Sequence, residues 1–405
     1  MYELQGMSYM KRKLSEKEIR VNLRYRYYEM KYRTRDFGIS TPPSLMWMQS
    51  ILGWCAKAVD SISDRLTFRE FENDAYNMGE IYWANNADIL FDSAMLSALI
   101  GGCSFISITP DRMQVIDGAN ATGCVDPSTG MLLEGYAVLD RDKNGKVIEE
   151  AYFVPGETEI YQHGKLVDII NNPSEHPMLV PIINRPDAKR NFGHSRISRS
   201  CMNIIQGAAR TVKRSEISAE FYSFPQKYAV GTAQDAETMD KWKASMSAMI
   251  EFSKDDDGDR PTLGQFSQQS MSPHMEQLKM FAAMFAGETG LTVDDLGFVS
   301  DNPSSAEAIK ASHENLRLIA RKAQRDFSVG FLNAGYLAAC QRDGFAYDRS
   351  IINNTRILWE PIFEPDAAML SGIGDGIIKI NQAVPGYFGV KNVRSLTGIE
   401  AETEV

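Results

Sequence analysis

The sequence predicts an α+β chain that is predominantly helical, and three observations carry that expectation. The stretch 194–222 contains no proline and only one glycine, Gly207, so it reads as one long helix. A second long helix is signalled from Ser304, where Ser304 and Glu307 form a capping box directly after Pro303. Between 131 and 170 the pattern changes to short alternating segments separated by turn residues, which reads as β-structure. At 405 residues the chain exceeds one ordinary core, so two or more subdomains are expected.

Taken in order, residues 15–35 read as a helix with Ser15 as N-cap and Glu18 closing a capping box. Its Tyr25, Tyr27, Tyr28 and Tyr32 fit a packed helix face better than a base-stacking platform. Pro42 and Pro43 interrupt the chain. A helix to about Leu66 is then expected, with Trp47, Ile51, Trp54, Ala58 and Ile62 on one side. A further helix, from about Asn86 to Ile100, stops at Gly101-Gly102, and Phe105, Ile106 and Ile108 open strand territory.

Asp140-Arg-Asp-Lys-Asn-Gly145 partly matches a calcium loop, but Ala151 stands where the twelfth-position glutamate belongs. Asn144-Gly145 between alternating segments is instead a hairpin signal. Gln162-His-Gly-Lys165 reads as the next tight turn.

In the 194–222 helix, Arg196, Arg199, Asn203, Gln206, Arg210 and Lys213 step by three and four, making one polar, mostly basic face. Ile197, Cys201, Ile204, Ala208, Val212 and Ala219 make a small-residue face suited to close helix packing. Pro225 ends the helix, and a strand at Lys227–Val230, a helix at 235–249 and an acidic turn at 255–258 are expected next. The following helix begins at Ser272 with Pro273 in its first turn, runs to Gly287, and carries Leu278, Phe281 and Phe285 as an apolar seam.

The loop 291–304 has few apolar residues and carries Asp294, Asp295 and Asp301 without a Lys or Arg. On the helix from Ser304 to about Cys340, Ile309, Leu316, Ala320, Ala323 and Phe327 form an apolar stripe. Lys310, Arg317, Arg321 and Arg325 form a separate basic one. An acidic loop feeding a long two-faced helix suits a part of an assembly better than a catalytic pocket.

Net charge is −10, against a protein that grips phosphates over a broad surface. Its distribution is uneven: residues 1–35 hold ten Lys or Arg against four Glu, and 189–215 hold seven basic residues and no acid. Cys55, Cys103, Cys124, Cys201 and Cys340 show no CxxC pairing, so reduced thiols in a cytosolic setting are expected. The N-terminus has no apolar signal core, and the run 94–108 is too short to span a bilayer.

Catalytic signatures are missing from the sequence. It has no G-x-x-x-x-G-K-[ST], HExxH or G-x-S-x-G, and its five histidines form no ligand pattern. No enzyme activity, metal or cofactor is expected. Asp294-Asp295 leaves one enzymatic alternative, a metal-dependent nuclease.

Four stretches in order carry a family resemblance: VDSISDRLTFREF with IYWANNADILFDSAMLSALIGGCSFISITPD, GHSRISRSCMNIIQGAARTVKRSEISAEFYSFPQKYAVG, GLTVDDLG with SDNPSSAEAI, and ILWEPIFEPDAAMLSGIGDGIIKI. Together they span Val59 to Ile380, and the chain resembles the portal proteins of long-tailed double-stranded-DNA bacteriophages.

The resemblance implies a portal fold assembled as a dodecameric ring, with another ring-forming virion connector as the nearer alternative. Residues 1–188 correspond to the wing, 189–224 and 271–290 to two stem helices, and 225–270 to the clip. Residues 291–304 correspond to a tunnel loop, 305–343 to a long wing or crown helix, and 344–405 to a crown-like region.

It further implies a conduit for DNA packaging and ejection at one capsid vertex, in a virion assembled in the host cytoplasm. Double-stranded DNA, the major capsid protein, terminase and a head–tail connector are the implied partners, with no membrane. Asp294, Asp295, Phe298, Asp301 and Asn302 would belong to the tunnel. Arg196, Arg199, Arg210 and Lys213 would either line the channel or pair between subunits. Lys241, Asp255, Asp256 and Asp257 would sit in the clip.

Overall fold

The computed structural model describes residues 3–38, 41–223, 227–230, 262–265, 270–298, 311–363 and 367–399. The expected helix at 235–249, the acidic turn with Asp255, Asp256 and Asp257, Lys241, Asp301, Asn302, the Ser304–Glu307 capping box and Lys310 lie outside the described residues.

The first helix, α1, spans Met7–Tyr28 and begins eight residues before the expected cap at Ser15. Ser15 sits inside it and turns its hydroxyl back to the Arg12 carbonyl. The true start is fixed from a distance, because the Gln5 and Gly6 amides donate to the buried carboxylate of Glu134. Tyr27 and Tyr32 stack at 4.7 Å, Tyr25 bonds Ser97 and Tyr28 bonds Asp60, so these rings serve packing.

The helix expected up to Leu66 is shorter than the sequence suggests. A single 3-10 turn at Pro43–Leu45 precedes an extended stretch, and α2 runs only from Trp54 to Ser63. Trp47 and Ile51 are left exposed. Strand β1 (Phe68–Glu72), the short α3 (Met78–Ala84) and α4 (Ala87–Gly101) follow.

Two sheets carry the N-terminal half. Strands β2 (Cys103–Ile108), β3 (Met113–Asp117) and β9 (Leu179–Ile183) form one, in the antiparallel order β3-β2-β9. Strand β2 is buried at every residue because it is the central strand and both α4 and the helix Glu314–Asp343 pack against it. The other is a meander of β4 (Ala121–Val125), β5 (Leu132–Arg141), β6 (Val147–Val154), β7 (Glu157–Gln162) and β8 (Lys165–Asn171). Its β5–β6 turn is closed by Asp142, whose carboxylate accepts the Asn144 and Lys146 amides, so the calcium-like motif is a hairpin. The β7–β8 turn places His163 and Gly164 both at positive φ, the two-residue geometry that favours glycine.

The C-terminal half starts with α5 (Arg199–Ser223), then the antiparallel pair β10 (Lys227–Val230) and β11 (Thr262–Gln265). Next come α6 (Ser272–Thr289) and α7 (Glu314–Asp343). Strand β12 (Arg356–Trp359) returns to pair with β1, and α8 (Ala367–Ala383) and α9 (Val390–Thr397) close the described chain. Leu316, Ala320, Ala323 and Phe327 of α7 are buried as their spacing requires. The shared core gathers α2, α4, β2, β9, α6 and α7, with Phe91 stacked on Phe68 at 4.1 Å and packed against Phe331 at 4.2 Å.

Candidate functional site

The features that do not belong to the ordinary core converge on α5, α6 and the loop after α6. Helix α5 begins five residues later than the sequence suggests, since residues 194–198 form turns that hold it to the core. The Ser198 hydroxyl accepts the Cys201 amide and so caps the helix.

Helices α5 and α6 run antiparallel as a tight pair. Side-chain bonds mark the register from end to end: Ser198 to Glu288 (2.7 Å), Thr211 to Gln277 (2.9 Å) and Ser218 to His274 (3.5 Å). Between them the Phe281 ring lies directly on Gly207, where an added Cβ would meet ring carbons at 2.6 and 2.7 Å. The glycine is what lets the two axes approach. Phe285 is fully buried and Leu278 and Phe281 pack on the core, as the seam predicts.

The opposite face of α5 is covered as well. Gln206, Arg210 and Lys213 lie at i, i+4 and i+7, and all three hold residues 33–37. Gln206 accepts the Arg35 amide and donates to the Arg33 carbonyl and the Tyr27 hydroxyl. Arg210 donates to the Arg35 carbonyl and stacks over Phe37 at 4.5 Å. Lys213, 3% exposed, is ion-paired with Asp36 at 3.0 Å. Asp36 also accepts the Thr41 hydroxyl and the Gly38 amide, and these bonds, with Lys213, hold its carboxyl well below the usual range.

Arg196 precedes α5 and is buried. Its guanidinium donates to the Ala58 carbonyl at 3.2 Å and to the Thr289 carbonyl at the end of α6. Burial lowers its pKa to about 10, which leaves it charged at neutral pH.

Beyond Thr289 the chain turns at Gly290 and enters a 3-10 turn, Asp294–Leu296. Leu291 and Leu296 are buried in the shared core, and Phe298 packs against it. Burial works against the charge of Asp295. The Thr292 amide and hydroxyl, both at 2.9 Å, and His313 outweigh it and leave the carboxyl below its ordinary range. Asp294 is exposed.

No family model matches the sequence. Two curated phage proteins do. The chain is 27% identical over 331 residues to the portal protein of Mycobacterium phage L5, covering 75% of this chain and 67% of that protein. It is 28% identical over 320 residues to the portal protein of Mycobacterium phage D29, covering 72% and 65%. The chain is similar in sequence to phage portal proteins. The matches span about two thirds of those portal proteins' lengths.

Among solved structures, chains of similar course occur in a native gene transfer agent virion (TM-score 0.46, 11% identity, 86% of this chain and 90% of that one). Another lies in the neck of the native particle computed with C12 symmetry (TM-score 0.46, 13% identity, 93% and 98%).

The basic face expected on the helix 194–222 is redistributed. Arg196 and Lys213 are not surface cations: the first bonds main-chain carbonyls and the second a carboxylate of the same subunit. Arg210 leans on Arg35 and Phe37, and of the four only Arg199 is exposed. The alternation in the sequence identified a polar face correctly but not the remote strap that covers it. On α7, Arg317 pairs with Glu314 at 2.6 Å, while Arg321 and Arg325 are exposed. Asp36 carries no local signal of its own. Its partner Lys213 lies 177 residues away, and only the unusual length of the polar face hinted at a cover.

Proposed function

We propose that this chain is the subunit of a dodecameric portal ring at one capsid vertex. Double-stranded DNA is packaged and ejected through its centre, without sequence preference. Residues 1–188 form the wing, 189–224 and 271–290 the stem, 225–270 the clip, 291–304 the tunnel loop, 305–343 the long wing or crown helix and 344–405 the crown-like region. The clip, with Lys241, Asp255, Asp256 and Asp257, docks terminase during packaging and the head–tail connector afterwards. The wing contacts the major capsid protein.

The observation that carries this reading is the match to two portal proteins over about three quarters of the chain. Physical support comes from the rigid α5–α6 pair, a strut suited to a stem. On α6, Met275, Met280 and Met284 are 58%, 49% and 52% exposed, and Trp47 is 76% exposed. Apolar side chains of that number on one chain favour burial against neighbouring copies. The nuclease reading gains nothing from the loop, because Asp295 is committed to Thr292 and His313. Among the described residues no group of three His, Cys, Asp or Glu is placed to hold a metal ion.

Native mass measurement with negative-stain imaging tests the proposal. Closed rings with a central hole are expected, each contact burying more than about 1,600 Å². A stable monomer at micromolar concentration overturns it.

A further inference from the structure

The two basic stretches of the sequence meet in space. On α1, Lys13, Lys17, Arg20 and Arg24 follow i, i+4, i+7 and i+11, a single line about 16 Å long at 1.5 Å per residue. That line faces the 187–199 segment. Lys17 lies 4.8 Å and Lys13 5.6 Å from the Phe192 ring. Gly102, where an added Cβ would touch the Phe192 carbonyl and the Ser195 amide at 3.4 Å, seats that segment beside the end of α4. Arg24 reaches the same place, donating to the Gly101 carbonyl at 3.1 Å.

Three of the four line cations are anchored on main-chain carbonyls: Lys13 on Gly123, Lys17 on Ala121 and Arg24 on Gly101. Arg20, Arg190 and Arg199 stand exposed above them. Among the described residues no carboxylate lies within ion-pair distance of the guanidinium groups of Arg20, Arg24, Arg190 or Arg199. The nearest acid along the segment, Asp187, is committed to His194 at 2.6 Å and to the Lys189 and Arg190 amides. Glu16 lies one turn before Arg20 on α1 and is exposed. Arg24 is disfavoured as a cation first by its burial and then by Arg20, Arg190 and Arg199, so the cluster repels itself.

A self-repelling arginine cluster on a chain of net charge −10 is stabilised by an anion that spans it. A compact acid such as one side-chain carboxylate neutralises one guanidinium, whereas a line of cations fits a line of phosphates. Arginine forks also suit bidentate phosphate contacts. We infer that the seam between α1 and residues 187–199 is a binding site for the phosphodiester backbone of DNA, made by Arg20, Arg190 and Arg199 over Arg24. The inference rests on the proposed conduit reading only for the source of the DNA.

The test uses the full-length assembled protein and a random-sequence 20-base-pair duplex, with affinity measured across salt concentrations. Arg20→Gln/Arg190→Gln/Arg199→Gln changes only exposed side chains, and thermal unfolding checks that the fold is kept. The triple variant is expected to bind at least about tenfold more weakly. Its log–log salt slope should fall by about two to three, since each phosphate contact contributes about 0.9. Control neutralisation of Arg112, Lys143 and Lys165, exposed and away from the seam, should leave the slope unchanged.

Unchanged duplex binding by the triple variant overturns the inference. Dissolution of the assembly also overturns it, because the seam then holds an acidic surface of a second copy. A wild-type chain that binds the duplex but stays monomeric upholds the seam while removing the ring reading.

Discussion

The Phe281 ring rests on the Cα of Gly207, and this contact sets how closely α5 and α6 approach. Gly207→Val should force the ring aside and cost about 1–3 kcal/mol, the usual range for overpacking a filled interface. A double-mutant cycle with Phe281→Ala checks it by chemical denaturation. The cost of valine at 207 should shrink sharply once the ring is gone. Additive effects would show that the ring does not set the spacing.

The Lys213–Asp36 pair gives the protein an acid-sensitive strap. The Asp36 carboxyl is depressed in the folded state by Thr41, Gly38 and Lys213. Its contribution to stability is therefore full above the unfolded carboxylate value of about 3.9 and is lost as pH falls below it. Asp36→Asn should be less stable than wild type at pH 6, and the difference should narrow from about pH 4 to pH 2. Thermal unfolding across that range measures it. A difference that stays constant with pH would mean Asp36 acts through packing alone.

These two contacts mark what the sequence made legible and what it hid. Local signals worked: the His163-Gly164 turn, the Asp142-closed hairpin and the α7 stripe of Leu316, Ala320, Ala323 and Phe327 all follow from spacing and turn chemistry. So did the α6 seam. The misses are long-range. Ser15 and Glu18 satisfy a capping box, yet Glu134, more than a hundred residues on, starts the helix at Met7. Arg196, Arg210 and Lys213 satisfy a basic face, yet Ala58, Arg35 and Asp36 claim them. A periodic pattern reports that a face is polar, and only the fold decides whether water, DNA or another part of the chain lies against it.

Arg196 separates a structural role from a channel-lining one. Its guanidinium joins α2 to the last residue of α6, so Arg196→Ala takes the donor from the Thr289 carbonyl, while the Ala58 carbonyl keeps the Ser61 hydroxyl. One unsatisfied buried group costs about 1–3 kcal/mol, so the variant should unfold at lower denaturant. Arg196→Lys should recover only part of this, since an ammonium lacks the planar fork that reaches both acceptors. Unaltered stability with a changed DNA-retention phenotype would return Arg196 to the channel.

The loop after α6 yields the last prediction. Its few apolar residues suggest a segment without a core, but Leu291 and Leu296 are buried and Asp295 ties Thr292 to His313 at the start of α7. The described part, 291–298, should therefore be held within the subunit rather than ordered only by its neighbours. Asp295→Asn weakens the Thr292 and His313 bonds that favour the charged carboxylate. The same loosening should appear in wild type as pH falls, because the folded carboxyl lies below its ordinary range and the charge-dependent bonds are lost on protonation. Hydrogen exchange at the amides of Leu296, Gly297 and Phe298 reads the effect directly, since these donate to Val293 and Asp294 within the turn. Faster exchange in Asp295→Asn, with the α5–α6 amides unchanged, is the expected result. Equal exchange in both proteins would show that the leucine anchors alone hold the turn and that the Asp295–His313 contact is incidental.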